Sequence, residues 1–403
     1  MATMSLNAYL GQVSSAWGRR RGPQAAELLS LRHPHVMSSR LQLEHPEDHV
    51  QDVLDSPLDE LVAAHLRCVW AVSNNDYSEA HRCQSAVVSC FAKVFVTHKD
   101  DNWALPVMNT ICLDLRRVAA AADAERTRAG QGHPGEVLEK AAEGLMSCFR
   151  VCAGDTRAEM DETKRWGMLN LVNQLFKIYF RVNKLHLCKP LIRAIESLPF
   201  KTEFSLSQLV TYRYYTGRKA MFDCDYKAAE EALHFAFLRC HKDCQKNKRL
   251  ILIYLIPVKM LLGHMPQESL LVKYNLLQFS EVVKAVTEGN PRRLSAAMAA
   301  HQAFFIKCGI YLILEKLRTI TYRNLFKKVF LLTGSVQIDI SKFQAALLAT
   351  GADADIDADE TACILANLIY EGRMKGYISH AHQKLVLSKK EPFPALSAGV
   401  AVS

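Results

Sequence analysis

The chain has 403 residues, of which 49% are hydrophobic and 23% are charged, and its formal net charge is +9. This composition excludes a disordered or fibrous chain, and the length is enough for a large core in one elongated or two compact domains. No apolar run reaches the roughly 18 residues that a membrane span needs, since the longest, at residues 250–258, contains Pro257. We therefore expect a soluble protein without a membrane partner.

The N-terminal segment predicts an amphipathic helix that ends near Gly18 and is followed by three arginines. The apolar residues of this helix are Leu6, Tyr9, Leu10 and Val13. The arginines at 19–21, with no acidic residue before Glu27, resemble a transit peptide or a short nuclear-import signal, and both signals are weak. The twelve cysteines lie singly in apolar patterns, which is typical of reduced thiols and favours the cytosol or the nucleus.

Helical periodicity dominates residues 60–332, and two segments in this region have the pattern of a helical hairpin. The first runs from Ala71 through the turn at 75–77 to Ala80, and the second runs from Gly217 through Asp225 and Tyr226 to Ala236. Small residues recur where two helices must approach, and an aromatic residue follows each turn, as in tetratricopeptide-like pairs. The two segments lie about 149 residues apart, so the pattern predicts an irregular stack rather than a tandem array.

The positive charge is concentrated in residues 240–330, which contain fifteen lysines and arginines against five acidic residues. Such a segment attracts polyanions, either nucleic acid or an acidic protein, although a solvated helix face gives the same pattern. Lys246, Lys248 and Arg249 directly precede the apolar residues 250–258. We predict that these three residues bind a small acidic partner with interleaved hydrophobic residues, because charge steers association and apolar burial maintains it.

The last quarter of the chain predicts a winged helix. Helical spacing is found at residues 320–330 and again at 364–370, and alternating residues at 374–389 predict a short hairpin. The fold class is therefore mainly α, an irregular TPR-like helical-repeat stack capped by a C-terminal winged helix. We predict a helical-repeat region at 1–200, a second helical part at 201–316, the winged helix at 317–392 and a flexible tail at 393–403.

Patterns that would indicate an enzyme or a metal site are incomplete. Asp353, Asp355 and Asp357 have the spacing of a calcium loop, but Ala358 and Ile364 replace its glycine and its bidentate glutamate. His380 and His382 are better interpreted as a hairpin turn. The cysteine pairs at 148/152 and 240/244 lack a second pair of zinc ligands. Glycine-rich phosphate loops and hydrolase motifs are absent, so we predict no catalytic residues, metal or cofactor.

Basic residues on and near the winged helix are candidates for contacts with phosphate groups. They are Arg318, Arg323, Lys327, Lys328, Lys384 and Lys389. The helix that would enter a major groove, at about 357–370, begins with Asp357, Asp359 and Glu360 and has no lysine or arginine. This helix is therefore unsuited to base-specific duplex readout, and we expect weak, salt-sensitive binding of RNA or single strands.

Several blocks resemble the PCI-domain family, and in particular the PCI-fold subunit of the nuclear transcription-and-export complex. They include NQLFKIYF at 173–180, KLHLCKPLIRAI at 184–195, QKNKRLILIYLIPVKMLLGHMP at 245–266 and the C-terminal segments above. The resemblance extends from about Tyr9 to Pro394. It implies a helical stack ending in a winged helix, and membership of a complex that couples messenger RNA production to export at the nuclear pore.

The resemblance also implies partners and a location. In that family the PCI subunit pairs with a large scaffold, the germinal-centre-associated nuclear protein, and with a small acidic protein shared with the proteasome lid. Juxtaposed winged helices then bind RNA, with DNA as an alternative, in the nucleus at the nuclear pore; the cytoplasm is a second location. Two alternatives stay open: a protein-only scaffold, and a subunit of another PCI assembly such as the proteasome lid.

Overall fold

The structure is a computed structural model that describes residues 4–97, 102–156, 161–351 and 355–396. Its contacts divide the chain into two compact units, Met1–Tyr212 and Arg213–Ser403. The boundary between the units lies within a helix at Leu206–Phe222. The predicted domain boundaries at 200, 316 and 392 remain predictions. In the described ranges, none of the helices is both long and apolar enough to cross a membrane.

Helices that pack against their neighbours in sequence build the first unit. They are α1 (Leu6–Gly18), α2 (Gly22–Leu28), α3 (Glu47–Gln51), α4 (Leu58–Ser73), α5 (Tyr77–Thr97), α6 (Leu105–Arg128), α7 (Glu136–Ala153), α8 (Met168–Arg181) and α9 (Cys188–Glu196). Short 3-10 turns lie at Pro34–Met37, Ser39–Leu41, Lys164–Gly167 and Leu185–Leu187. The predicted first helix is confirmed, since α1 ends at Gly18 and buries the predicted apolar face.

The predicted hairpin around Asn75 is formed by α4 and α5. Ala71 and Ala80 are fully buried where the two helices approach, and Asn75 adopts the left-handed φ of 59° that the tight turn requires. The Asp76 carboxylate accepts a 2.9 Å hydrogen bond from the backbone N–H of Glu79, which caps the start of α5. The sequence pattern therefore identified both the turn and the contact between the helices.

The second unit contains shorter helices before its winged helix. They are α10 (Leu206–Phe222, which the division crosses), α11 (Tyr226–Arg239), α12 (Gln245–Leu261), α13 (Glu268–Lys273), α14 (Ser280–Glu288), α15 (Pro291–Ala300), α16 (Gln302–Cys308) and α17 (Tyr311–Glu315), with a 3-10 turn at Leu277–Phe279. The predicted α10–α11 hairpin is present, and a Cβ at Gly217 would lie 2.6 Å from Leu233 Cγ. Residues 251–258 of α12 are all buried, which explains their apolar run.

The predicted winged helix is present at the end of the second unit. It consists of α18 (Leu317–Thr333), β1 (Gln337–Asp339), α19 (Ile340–Ala349), α20 (Ala358–Tyr370), β2 (Gly376–Ser379) and β3 (Lys384–Leu387). The antiparallel sheet has the order β1-β3-β2, with Ile338 opposite Leu385. Phe326, Phe343 and Leu365 are fully buried in the core beneath it. The fold is thus mainly α, a helical-repeat stack that ends in a winged helix.

Several details of the C-terminal region differ from the predictions or lie beyond the described residues. Phe393 is buried in the winged-helix core, so residues 393–396 are a packed segment and not part of a flexible tail. His380 and His382 lie in the turn between β2 and β3, as predicted. Asp353, the first residue of the rejected calcium pattern, lies outside the described residues.

Candidate nucleic-acid interface

Helix α18 supplies the core of the winged helix and several of the candidate cations. Leu325, Phe326 and Val329 face the core, as their spacing predicts, while Lys327 and Lys328 are exposed between them. Lys327 makes no ion pair with any described residue. Arg318 lies at the second position of α18, near the predicted helix start, and pairs with Glu315 at 3.3 Å. Helix α18 therefore presents a basic face, but Arg318 is partly neutralised.

Arg323 is a correction to the predicted phosphate-binding set, because its side chain is buried. The residue is only 6% exposed, and its Nη2 donates hydrogen bonds to the carbonyl oxygens of Phe393 (3.1 Å) and Pro394 (2.8 Å). Its guanidinium lies 5.5 Å from the centroid of the Phe393 ring. Burial, followed by the nearby charge of Arg373, lowers the pKa of Arg323. Arg323 is thus part of the interior of the domain.

The acceptors of Arg323 belong to a packed C-terminal segment, residues 392–396, which we call the strap. The backbone N–H of Lys375 donates to the Pro392 carbonyl at 2.8 Å, and Arg373 Nη1 donates to the Leu396 carbonyl at 3.3 Å. A Cβ at Gly263 would lie 2.5 Å from Leu396 Cβ, so the strap also packs against the end of α12. Sequence reasoning missed the strap; an aromatic residue between two prolines, at 392–394, was its available signal.

Lys328 has a structural contact that the sequence did not indicate. Its Nζ donates a 2.8 Å hydrogen bond to the Glu288 carbonyl, and Asn324 Nδ2 donates at 2.8 Å to the Val286 carbonyl. Both acceptors lie in the last turn of α14, where helix carbonyls lack intrahelical partners. Lys328 therefore joins α14 to α18 while its side chain stays exposed.

The two candidates in the wing region differ in their surroundings. Lys384 lies on β3 opposite Asp339 of β1, and its Nζ is 3.8 Å from Asp339 Oδ1. Lys389 follows β3, is exposed, and forms no ion pair within the described parts of the chain. Of the six predicted residues, Lys327 and Lys389 are thus exposed and make no ion pair with the described residues. Lys328 is exposed but is hydrogen-bonded to the end of α14. Arg318 and Lys384 are ion-paired.

The N-terminus of α20 is acidic, as the sequence predicts. Asp357 Oδ1 accepts a 2.7 Å hydrogen bond from the backbone N–H of Glu360, and Glu360 reaches back to the N–H of Asp357 in a capping box. Asp359 adds a further negative charge in the first turn. These acids stabilise the helix dipole but repel phosphate, so α20 is unsuited to enter a major groove.

The three predicted partner-binding residues all lie in the first turns of α12. Lys248 Nζ donates to the Phe237 carbonyl at 3.1 Å and lies 4.7 Å from the Phe237 ring centroid. Arg249 Nη2 donates to the Asn275 carbonyl at 3.3 Å. Lys246 is exposed and has no ion pair in the described portion of the protein. Lys248 and Arg249 therefore hold α12 to its neighbours, and Lys246 is the most accessible of the three.

An open apolar cleft of about 330 Å³ lies beside α12. Its walls include Leu238 of α11, Leu252 and Lys259 of α12, Met265 and Leu270. Leu238 is 62% exposed, although large apolar side chains are usually buried. Lys259 is paired with Glu230 at 3.0 Å, so the cleft itself is mainly apolar. This surface is suited to an apolar side chain of a partner protein.

The cysteine pairs considered as zinc ligands have different surroundings. Cys148 and Cys152 are fully buried in α7, where Cys152 lies 3.7 Å from the sulfur of Met108. Cys240 is buried and Cys244 is exposed at the start of α12. Within the described ranges, no three histidine, cysteine or acidic residues come together in an arrangement that could hold a metal ion.

Comparisons with known proteins place this architecture in a family. The model of the PCI domain matches residues 298–389, which contain the winged helix up to the end of β3. PCI domain-containing protein 2 of Danio rerio is 59% identical over 398 residues, which cover 99% of this chain and 100% of that protein. The Drosophila melanogaster homolog is 50% identical, with 98% and 99% covered. The chain belongs to the PCI domain-containing protein 2 family.

Membership of the PCI domain-containing protein 2 family identifies the chain as a PCI-domain scaffold subunit of the kind found in multiprotein complexes. A Mycosarcoma maydis protein named Protein CSN12 homolog is 32% identical over 85% of this chain and 86% of its own length. The PCI family is one of scaffold proteins and is not known for enzymatic activity. The winged helix and the surface around α12 are therefore interpreted as interaction surfaces.

Proposed function

We propose that this chain is the PCI scaffold subunit of a nuclear complex that couples transcription to messenger RNA export at the nuclear pore. Within that complex it contributes a winged-helix surface that binds RNA, or DNA, weakly and without strong sequence preference. The resemblance to the export-complex subunit supports the assignment to that complex. One structural observation supports the nucleic-acid part: Lys327 and Lys389 are exposed and make no ion pair with the described residues, whereas the acidic N-terminus of α20 opposes groove entry.

The proposed partners are a scaffold of the germinal-centre-associated nuclear protein type and the small acidic protein shared with the proteasome lid. Exposed Lys246 and the apolar cleft beside α12 support a contact with an acidic chain that carries hydrophobic residues. Of the six predicted contact residues, only Lys327 and Lys389 are both exposed and without an ion pair to a described residue, so we expect strong binding of nucleic acid to require a basic surface from the scaffold as well.

The test is a titration of the reconstituted three-protein complex with fluorescent single-stranded RNA and duplex DNA across a salt series. The double variant Lys327→Glu/Lys389→Glu should weaken binding and reduce the slope of log K against log salt by about 0.7 for each lost contact with a single strand. Arg323 is left unchanged, because it is buried and its replacement would destabilise the domain instead of testing a contact with nucleic acid. Size-exclusion chromatography verifies that the complex remains assembled.

The matched control is Lys93→Glu/Lys189→Glu, which changes the net charge equally at two exposed lysines of the first unit. Equal losses in the control and the test variant would contradict a local interface. Binding that is unchanged in the test variant would remove Lys327 and Lys389 from the site.

A protein-only scaffold is the second candidate function, favoured by the cleft beside α12 with its exposed Leu238. In that case no intact complex binds nucleic acid even at low salt, and Leu238→Glu weakens assembly while Lys327→Glu/Lys389→Glu does not. A subunit of another PCI assembly is a further form of this second candidate function, and the similarity to Protein CSN12 homolog supports it.

A further inference from the structure

Cys224 and Lys316 form a close pair at the surface of the second unit. Cys224 lies in the turn between α10 and α11, with a left-handed φ of 65°, and is partly exposed. Lys316, the residue that precedes α18, is exposed and its Nζ lies 3.2 Å from Cys224 Sγ. The same ammonium group lies 5.5 Å from the centroid of the buried Tyr226 ring. The turn therefore places a thiol, an amine and a phenol together.

The surroundings of this thiol stabilise its ionised form. Interaction with the Tyr226 hydroxyl, and then with the Lys316 ammonium, lowers the pKa of Cys224, against the opposing effects of burial and of the Asp223 carboxylate. Asp223 is itself occupied by an ion pair with Lys219. Burial instead raises the pKa of other cysteines, such as Cys90 and Cys308. Cys224 is thus an accessible thiol with a cation in contact with its sulfur.

We propose that Cys224 and Lys316 are an oxidation site for peroxides, in which a sulfenic acid is followed by a sulfur–nitrogen link between the two side chains. The Cys224 thiolate attacks one peroxide oxygen and the O–O bond breaks. The leaving hydroxide takes a proton from the Lys316 ammonium, which gives water, Cys224–SOH and a neutral amine. Sulfur loses two electrons and the peroxide gains them.

The neutral amine of Lys316 is then already in contact with the electrophilic sulfur. Its nitrogen attacks Cys224 Sγ, the S–O bond breaks, and one amine proton leaves with the hydroxide as a second molecule of water. The product is a sulfenamide, which a thiol reverses by attack at sulfur. This bond would connect the α10–α11 turn to the residue before α18, and so tie the helical part of the second unit to its winged helix.

The test is exposure of the full chain to hydrogen peroxide, followed by mass spectrometry of the intact protein and of its peptides. We expect a linked pair of peptides containing Cys224 and Lys316, lighter by two hydrogen atoms than the separate peptides and restored by dithiothreitol. Dimedone, which traps sulfenic acids, should label Cys224 several times faster than Cys363. Cys363 is a matched control because it is an exposed thiol on α20, a helix that contains no lysine or arginine.

Two variants separate the steps of the proposed reaction. Lys316→Arg keeps the positive charge but provides a poor nucleophile, so it should retain fast labelling by dimedone and lose the linked peptides. Lys316→Met removes the charge and should slow oxidation of Cys224 to the rate of Cys363. The comparison of Cys224 with Cys363 in the unchanged chain needs no variant to fold. Equal rates at these two thiols, or the absence of linked peptides in the unchanged chain, would overturn the proposal.

Discussion

Arg323 and Lys327 lie one turn apart on α18, yet only Lys327 reaches solvent. Helical spacing assigns both to a similar face, and the sequence alone gives no reason to distinguish them. The difference arises because the strap, some seventy residues later, covers Arg323 and supplies two carbonyl acceptors. A buried arginine needs such acceptors, since an unpaired charge in the interior is costly. Contacts over this sequence distance decide which cations remain available for a ligand.

A chain of three histidines in the first unit gives a prediction about pH. His35 Nε2 lies 3.2 Å from His65 Nε2, and His35 Nδ1 lies 2.9 Å from His33 Nδ1. Burial, and then the charge of its histidine neighbour, lowers the pKa of His65 to about 3 and that of His35 to about 4. In the unfolded chain both residues titrate near their ordinary pKa of 6.5.

The stability that the neutral His35 and His65 contribute is therefore fully present at pH values above their pKa in the unfolded chain. It is lost as the pH falls towards their lower pKa values in the folded chain. In that window the unfolded chain binds protons that the folded chain does not, which costs up to about 1.4 kcal/mol per pH unit for each histidine. Urea unfolding at about pH 7 and about pH 5 should show this loss. All four tryptophans, at 17, 70, 103 and 166, lie in the first unit, so their fluorescence reports on it.

His65→Gln removes one buried titrating group and should reduce the loss of stability between the two pH values. His49→Gln is the control, because His49 is exposed on α3 and should leave the loss unchanged. An equal pH dependence in the unchanged chain and in His65→Gln would contradict the role of the buried histidines.

At the scale of elements, the contact between the end of α14 and α18 depends on one glycine. Gly289 ends α14 at a φ of 67°, and a Cβ there would lie 2.5 Å from the backbone nitrogen of Leu325. Because this neighbour is backbone, it cannot rotate away. At the same interface between α14 and α18, the side chains of Asn324 and Lys328 donate hydrogen bonds to carbonyl oxygens in the last turn of α14. The two helices are therefore held at close approach by backbone and side-chain contacts together.

Gly289→Ala should destabilise the second unit by about 1–3 kcal/mol more than Gly334→Ala. Gly334 ends α18 at a similar φ of 64°, but its added Cβ would meet nothing within 4 Å, so it carries the backbone penalty of about 1 kcal/mol alone. Denaturant unfolding, monitored by far-UV circular dichroism, measures the loss of stability in both variants. Equal costs at the two glycines would show that α18 shifts freely to make room.

Elements with a strong local signal could be predicted from the sequence, and elements that depend on distant contacts could not. Helix α1, the α4–α5 turn and the β2–β3 hairpin follow from periodicity and from turn residues. Strand β1 has only three residues and pairs with β3 some fifty residues later, so its own pattern is too short to indicate a strand. The strap was missed for a related reason, because its role depends on Arg323 and Arg373.

At the scale of the whole molecule, the excess of positive charge overstates the basic surface. Lys259, one of the cations of residues 240–330, pairs at 3.0 Å with Glu230 of α11, an acidic residue outside that segment. Arg323 is buried. Local neutralisation weakens the long-range field that the sequence count implies. The positive charge that remains supports the proposal that the subunit binds nucleic acid weakly and in a salt-sensitive way.

The strap gives the last prediction, because a few residues at the end of the described chain complete the core of the second unit. Phe393 is buried in the winged-helix core and lies 5.7 Å from Phe330, measured between ring centroids. The Phe393 and Pro394 carbonyls hold the buried Arg323. Removal of this segment opens a cavity of aromatic size and leaves a guanidinium without its acceptors. Each loss is costly, and the two occur together.

A chain truncated after Pro392 should therefore be less stable in its second unit, by about 3 kcal/mol or more, than a chain truncated after Leu396. Far-UV circular dichroism reports on both units, whereas tryptophan fluorescence reports on the first alone. We expect the circular dichroism transition of the shorter chain to lie at lower denaturant than that of the longer chain. Phe393→Ala in the full chain should reproduce much of this shift, because it removes the ring and keeps the carbonyls. Identical transitions in the two truncated chains would mean that the strap does not stabilise the winged helix.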